Sequence, residues 1–534
     1  MKHLCKEKQQ TLWRSRAHGV WFRLCAVCLS VYISYIVYLS NSGLFVSPAK
    51  TALALVLFVL LSVGLYAGLT QACRILSPYQ LKARPERSRI DLRMFALAFV
   101  IAMAVFGCTF AASYPGGVNY DVSNQWRQVH SGEFNNWHPL FHTLLMGLVT
   151  RLYDSYPFAV LVQIVIFAAL LSHLTATLHK RGVPAWLALI VHTVVVSSLS
   201  VRNVLMYFGK DSAMTIGVIA LTVQAVEILH TKGEWLKKPV HGLAMGLLLA
   251  YTTLLRINAL LWTVPLLLCV FFAYKSIRRQ AVCAAVVMAL AMALIQGPVY
   301  GMLDVVYPDN TVEEGVGLPM TILGDVKKLQ PDKLDAETTA FLATLASDEA
   351  WQNVYQLHNY NSIKFTYERE WIKYTPVSGI LGMSLRAALA APRTAFEAVN
   401  GVTDLVWDIT GQDEGYLHVR NSGDIEELRH AGHPLLNRLG GMGCKVLEII
   451  TNLPPLRWLT CNIGVQLLLL LLVTLWTLYR RGSDVLMLAF PTLFYHLGTM
   501  LLLCGNDARF FHFSMTVSLP AILVLLYLPK NREV

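Results

Sequence analysis

Charge is what this sequence has least of: 14% of its residues are Asp, Glu, Lys or Arg, against 55% hydrophobic. So few charges do not cover a water-soluble fold of 534 residues, and the balance places the chain among polytopic membrane proteins. Metal-binding cysteine spacings are lacking as well. Of ten cysteines, Cys25, Cys28, Cys73, Cys108, Cys269, Cys283 and Cys504 lie inside apolar runs, where a small buried hydrophobe is the expected role. The Cys25-x-x-Cys28 pair has no strand and no second ligand pair near it, which argues against a redox centre. Only Cys444 and Cys461 are placed where a pair outside the membrane could form. There is no internal repeat, no low-complexity segment, and no small-residue cleavage site after the basic N-terminus, so the first apolar run reads as a retained helix.

What fills the chain instead is apolar runs of spanning length, for which about 20 residues are needed. They fall near 21–40, 51–73, 94–112, 157–178, 183–200, 212–230, 241–256, 259–274, 280–302, 462–479, 484–504 and 511–528. The expected fold is an all-α polytopic membrane protein with about 12 transmembrane helices. The net charge of +11 would suit nucleic acid in a soluble protein, but here the basic residues gather in short loops between apolar runs. That is the positive-inside pattern, and it points to a multi-pass cell-membrane protein with no nucleic-acid partner.

Sidedness follows from those loops. With residues 1–20 cytoplasmic, 74–93, 179–182, 230–238, 274–279, 479–482 and the tail 530–534 all fall inside. The condition is that 138–153 does not cross but lies as an interfacial or re-entrant helix entered through Pro139. The chain then divides into a transmembrane module (21–302) whose first outer loop is 113–156, an extracytoplasmic loop domain (303–461), and C-terminal transmembrane helices (462–529). The outer domain should be partly helical, with amphipathic stretches at 332–358 and 379–406 and Gly-rich turns near 411–423 and 439–443.

The remaining polar islands share the outer side: 113–137, 201–212, Arg256 with Asn258, and 505–512. The densest is SYPGGVNYDVSNQWRQVHSGEFNNWHPLFH, residues 113–142. Its Asp121 is the candidate general base, with a carboxyl pKa expected to be raised in a partly dehydrated, aromatic-walled site. Gln125 is a candidate substrate ligand. His138 and His142, four apart on one face of a short helix, are placed to reach one ligand. His-x-x-x-His without a following Glu is a weak zinc signal, so no metal site is assigned. Lys210, a lysine on the outer side against the positive-inside tendency, suits phosphate binding, and Asp211 beside it suits a helix N-cap. Arg256 at the end of an apolar run and Arg509 with Asp507 complete the candidate substrate-binding set. Tyr120, Trp126 and Trp137 fit a membrane-interface belt better than sugar stacking.

Tyr114-Pro115-Gly116-Gly117, Asp121, Gln125 and Asn136-Trp137-His138-Pro139, placed after an early span on the outer side, resemble the first outer loop of the GT-C superfamily of membrane glycosyltransferases. More narrowly they resemble uncharacterised bacterial members with a YPG, D, Q and HP signature. Gly209-Lys210-Asp211 and Asp507-Ala508-Arg509-Phe510-Phe511 add to the likeness. It covers most of the first 300 residues and the last 75, and 303–461 by position alone. The resemblance implies sugar transfer from a polyprenyl-phosphate or polyprenyl-diphosphate carrier to a glycan, lipid or protein acceptor on the extracytoplasmic face, in cell-envelope glycan assembly. Many relatives place two acids close together in this loop, whereas here the next acid is Glu133, which leaves a divalent-cation requirement open and no cofactor certain. An O-antigen ligase or polymerase-like enzyme shares the length and large outer loop but would use Arg and His of that late loop. A secondary transporter would show two similar halves and midplane binding groups.

Overall fold

The computed structural model describes residues 2–39, 48–308, 312–364, 374–411, 432–502 and 507–529, with a few single residues between these stretches. The expected tail 530–534 and most of the turn region 411–423 lie outside the described residues. The chain is 80% helical without strands among the described residues. Among the described residues, eight helices are long and apolar enough to cross a membrane. This is an all-α, membrane-embedded protein.

The first half runs α1 (Lys2–Leu39), α2 (Pro48–Leu76), α3 (Leu92–Ser113), α4 (Tyr120–Ser131), α5 (Leu140–Leu152), α6 (Tyr156–Lys180), α7 (Ala185–Ser197), α8 (Leu199–Val204), α9 (Lys210–His230), α10 (Pro239–Leu255), α11 (Leu260–Ala273) and α12 (Arg278–Leu294). After it come α13 (Gly317–Leu329), α14 (Ala336–Leu345), α15 (Val377–Ala390), α16 (Pro392–Thr403), α17 (Pro434–Thr451), α18 (Pro454–Thr460), α19 (Ile463–Arg481), α20 (Phe490–Met500) and α21 (His512–Tyr527). The basic residues expected as a separate N-terminal tail are continuous with α1, whose span-like part is Gly19–Tyr38.

Four of the twelve expected spans are short or broken, each for a local reason. The run at 183–200 ends at Ser197, and Ser198 turns the chain into α8 while its hydroxyl donates to the Thr460 carbonyl. Residues 239–273 hold two 17-residue elements rather than full spans, Pro239–Leu255 and Ile257–Ala273, the second carrying Pro265 inside it. The run at 484–504 begins as a 3-10 turn, Ser483–Leu488, and becomes α-helical only at Phe490–Met500, with Pro491 in its first turn. Gly297 and Pro298 add a π-turn to the helix that follows α12. α5 has 13 residues, below spanning length.

α9 is the axis of the bundle: 94% of its most apolar window is buried, against 6% for α2 at the periphery. α21, 83% buried, packs against α9, α19 and α7. At one end of α9 the basic loops meet. Arg181 pairs with Glu227 and, at 2.6 Å, with Glu86; Lys180 pairs with Glu227 at 2.9 Å, and Arg84 N–H donates to the Gly182 carbonyl at 2.9 Å. The Arg481 guanidinium reaches the Leu229 carbonyl at 2.8 Å. The opposite end, where Lys210 stands, gathers the other set of loops. Since α9 is 21 residues long, the two ends lie roughly 30 Å apart.

The region 303–461 builds its own small core from Met320, Leu323, Trp351, Tyr355, Ile363 and Met383. The stretch expected as one helix at 332–358 is divided at Ala346, and that at 379–406 at Pro392. α17 leaves this region and packs along the upper half of α3. Close approach is possible because Gly440 and Gly443 face Ala111 and Cys108; a Cβ on Gly443 would stand 2.8 Å from the Cys108 sulfur. Cys444 and Cys461 are both free thiols, so the pairing considered for them is not made: Cys444 is turned to Thr109 and Arg202, Cys461 to Thr460.

Candidate active site

The loop after α3 is built to lie flat. Gly116 takes φ +117, and Gly117 lies so close to Tyr207 that a Cβ would meet its ring at 2.7 Å. Gly117 N–H donates to the Met206 carbonyl at 3.0 Å, and the Tyr156 hydroxyl donates to the Gly117 carbonyl while accepting from Phe208 N–H. Gln163 completes the clamp through the Leu205 and Tyr207 carbonyls, at 2.9 and 2.7 Å. Tyr-Pro-Gly-Gly is thereby fixed to 205–208, which sets the start of α4 against the start of α9. Asn119 caps α4 through Val122 N–H at 2.9 Å, and Asp121 stands in its first turn.

Asp121 meets three partners from three segments. Lys210 Nζ lies 3.0 Å from Oδ2, Arg509 Nη1 3.4 Å from the same oxygen, and His138 Nε2 3.6 Å from Oδ1. Lys210 also donates to His138 Nδ1 at 3.1 Å, which leaves the imidazole proton on Nε2, facing Asp121. Asp211 pairs with Arg256 and lies 3.9 Å from Arg509 Nε; Asp507 pairs with Arg509 at 2.9 Å and accepts from its backbone N–H at 3.1 Å. Phe510 lies under both guanidinium groups, 4.4 Å from Arg256 and 5.3 Å from Arg509. Three carboxylates and three cations thus form one network, with side chains between 10% and 28% exposed.

Burial alone would raise the Asp121 carboxyl, but the charges of Lys210 and Arg509, joined in acid by that of His138, outweigh it and hold the pKa far below the ordinary carboxylate range. The expectation of a raised pKa is therefore corrected: burial and cations in the same site were foreseen, their direct pairing with the carboxylate was not. His138 is pushed down to about 3 by burial and then by Lys210, and is neutral at physiological pH.

Seven of the nine candidate residues meet here: Asp121, His138, Lys210, Asp211, Arg256, Asp507 and Arg509. Gln125 and His142 form a separate buried layer, in which His142 Nδ1 donates to Gln125 Oε1 at 3.0 Å and Gln125 Nε2 donates to Thr143 at 3.2 Å. His138 and His142 do not share a helix face, because Pro139 is extended and α5 begins only at Leu140. Nor is Asp211 a cap: Gly209 occupies that position, and Asp211 is one turn-residue inside, paired with Arg256 and Arg509. Trp126 is buried against Tyr156, with ring centroids 5.5 Å apart, and is closed to a ligand.

The acids that join Asp121 are Asp211 and Asp507, not Glu133, which is exposed. Among the described residues no three His, Cys, Asp or Glu are grouped to hold a metal ion, and each aspartate already has a cation. Sequence reasoning set Asn258 beside Arg256 but missed the two residues that hold Asn258 in place. Asn258 accepts from Arg256 Nε at 3.2 Å and donates to the Tyr495 and Thr499 hydroxyls at 3.1 and 3.2 Å. A tyrosine and a threonine four apart, with Thr492 and His496 in the same mainly apolar run, were the available signal.

Comparison with family models, with characterised proteins and with solved structures finds no match to this chain.

Proposed function

We propose that this protein is a membrane glycosyltransferase of GT-C type, with about twelve membrane-crossing elements, that transfers a sugar from a polyprenyl-phosphate carrier to an acceptor on the extracytoplasmic face. The observation that carries the reading is the convergence of Lys210, Arg256 and Arg509 on Asp121 and Asp211, at the end of α9 opposite the basic loops. A positive-inside orientation turns that end outward, where a carrier-linked sugar is presented.

The chemistry follows from the charges. Glycosyl transfer develops negative charge on the departing phosphate and releases a proton from the acceptor hydroxyl. Lys210 and Arg509 are the cations for the phosphate, and Asp121 is the base. In the free protein these groups neutralise one another, so Asp121 is a poor base. A phosphate drawing Lys210 and Arg509 to itself removes the charges that hold the carboxyl down, and burial then raises its proton affinity. The donor switches on the base. His138, neutral with its Nε2 proton facing Asp121 at 3.6 Å, backs the carboxylate.

The test is turnover. Purified protein given a polyprenyl-phosphate sugar and a panel of hydroxyl acceptors should release free polyprenyl phosphate in proportion to acceptor glycosylated. Saturable binding of the donor without release would make it a binding protein or transporter instead.

A further inference from the structure

At the other end of the molecule, the last turn of α19 carries two arginines with different fates. Arg481 is fully engaged with the Leu229 carbonyl at 2.8 Å and with Asp484 at 3.2 Å. Arg480 is only 8% exposed, and none of its three guanidinium nitrogens has a hydrogen-bond partner among the described residues. Its guanidinium lies 4.3 Å from the centroid of the Trp476 ring. The indole N–H of Trp476 in turn donates to the Leu76 carbonyl at 3.2 Å, at the end of α2. Beside it, Ile75 is 57% and Leu76 48% exposed, an apolar surface running up the periphery of the bundle.

A buried cation without a counter-ion is strongly unfavourable, and the carbonyl end of α19 offsets only part of it. The ring fixes the plane of the guanidinium but satisfies no N–H. What the site lacks is a planar-fork acceptor with negative charge, which a phosphate supplies. The site stands at the end of the bundle where the basic loops gather, the level of the headgroups in the inner leaflet.

We propose that Arg480 and Trp476 form a binding site for the phosphate of an inner-leaflet phospholipid, whose acyl chains lie along Ile75 and Leu76 of α2. The site is remote from the Asp121 cluster and does not depend on the reaction assigned there. The bound lipid adds to the contact between α2, which packs mainly along α1, and α19.

Thermal unfolding of delipidated protein in detergent tests it, with phosphatidylglycerol, with about 10 mM inorganic phosphate, and with neither. Phosphatidylglycerol should raise the wild-type midpoint by about 3–6 °C. In Arg480→Met that shift should fall below about 1 °C, while the lipid-free midpoint equals or exceeds wild type, because an unpaired ion has been replaced by an apolar chain of similar length. An equal lipid shift in the variant overturns the proposal, and a shift produced in full by inorganic phosphate overturns the assignment to lipid. Should Arg480→Met not fold, native mass spectrometry of the wild type decides: one phospholipid should survive activation that strips the rest, and none surviving overturns it.

Discussion

Lys210 Nζ stands 3.0 Å from Asp121 Oδ2 and 3.1 Å from His138 Nδ1, so one ammonium fixes both the carboxylate and the tautomer of the imidazole that faces it. The contact joins the first turn of α4 to the first residue of α9.

Removing the carboxylate tests the base. Asp121→Asn keeps the size and one acceptor oxygen for Lys210 and Arg509 while removing the charge, so the protein should remain folded while transfer falls by about 10²–10⁴. A variant with wild-type turnover would take the base role from Asp121.

The pH dependence separates the free from the donor-bound protein. Because Lys210, Arg509 and His138 hold Asp121 ionised far into acid, kcat/KM should show no acid limb above about pH 5. In kcat the limb should move upward, since the bound phosphate occupies the cations and burial is left to raise the carboxyl. Profiles of the two parameters measured on the same preparations check this, and identical acid limbs would contradict a donor-activated base.

Asn258 acts through Arg256. Asn258→Ala removes the partner of Arg256 Nε and one partner from each of the Tyr495 and Thr499 hydroxyls, leaving Asp211 alone to aim the guanidinium, so KM for the donor should rise about tenfold with a smaller change in kcat. Tyr495→Phe, which removes only one of those partners, should give a milder KM effect.

Gly117→Ala places a Cβ 2.7 Å from the Tyr207 ring. Relief requires 113–118 to lift from 205–208, separating Asp121 from Lys210, at a cost of about 1–3 kcal/mol in stability. Thermal unfolding and turnover should therefore fall together.

The region 303–461 carries its own titration. Asp325, fully buried, accepts from His358 Nδ1 at 2.6 Å and from the Tyr355 hydroxyl at 2.7 Å, and the first of these bonds raises the histidine above its ordinary pKa. A raised histidine stabilises the fold only while protonated. Its contribution is complete below the ordinary histidine value of about 6.5 and is lost as pH rises through the raised one. Hydrogen exchange of α13 should speed up as pH rises above about 6.5, beyond the intrinsic rate increase. Asp325→Asn should abolish the difference.

Much of this was legible in the sequence because polar residues beside apolar runs are anomalous, and Lys/Arg counts alone sorted the loops into the two sets that α9 separates. Asp121, Lys210 and Arg509 could be named that way. Their mutual pairing could not, since Arg509 lies 388 residues from Asp121 and the register between α4 and the last helix is tertiary. Breaks at Ser198 and near Pro491 escaped hydropathy, which records composition and not the hydrogen bonds a turn must satisfy. Tyr495 and Thr499 were hidden among apolar neighbours for the same reason.

The central claim is that Lys210 and Arg509 are held in reserve by Asp121 for a carrier phosphate. Equilibrium binding of polyprenyl phosphate to protein in nanodiscs, compared between wild type and Lys210→Met, tests it most directly. The account gives saturable wild-type binding and a Kd raised at least about tenfold in the variant. Equal affinity in the two would contradict it.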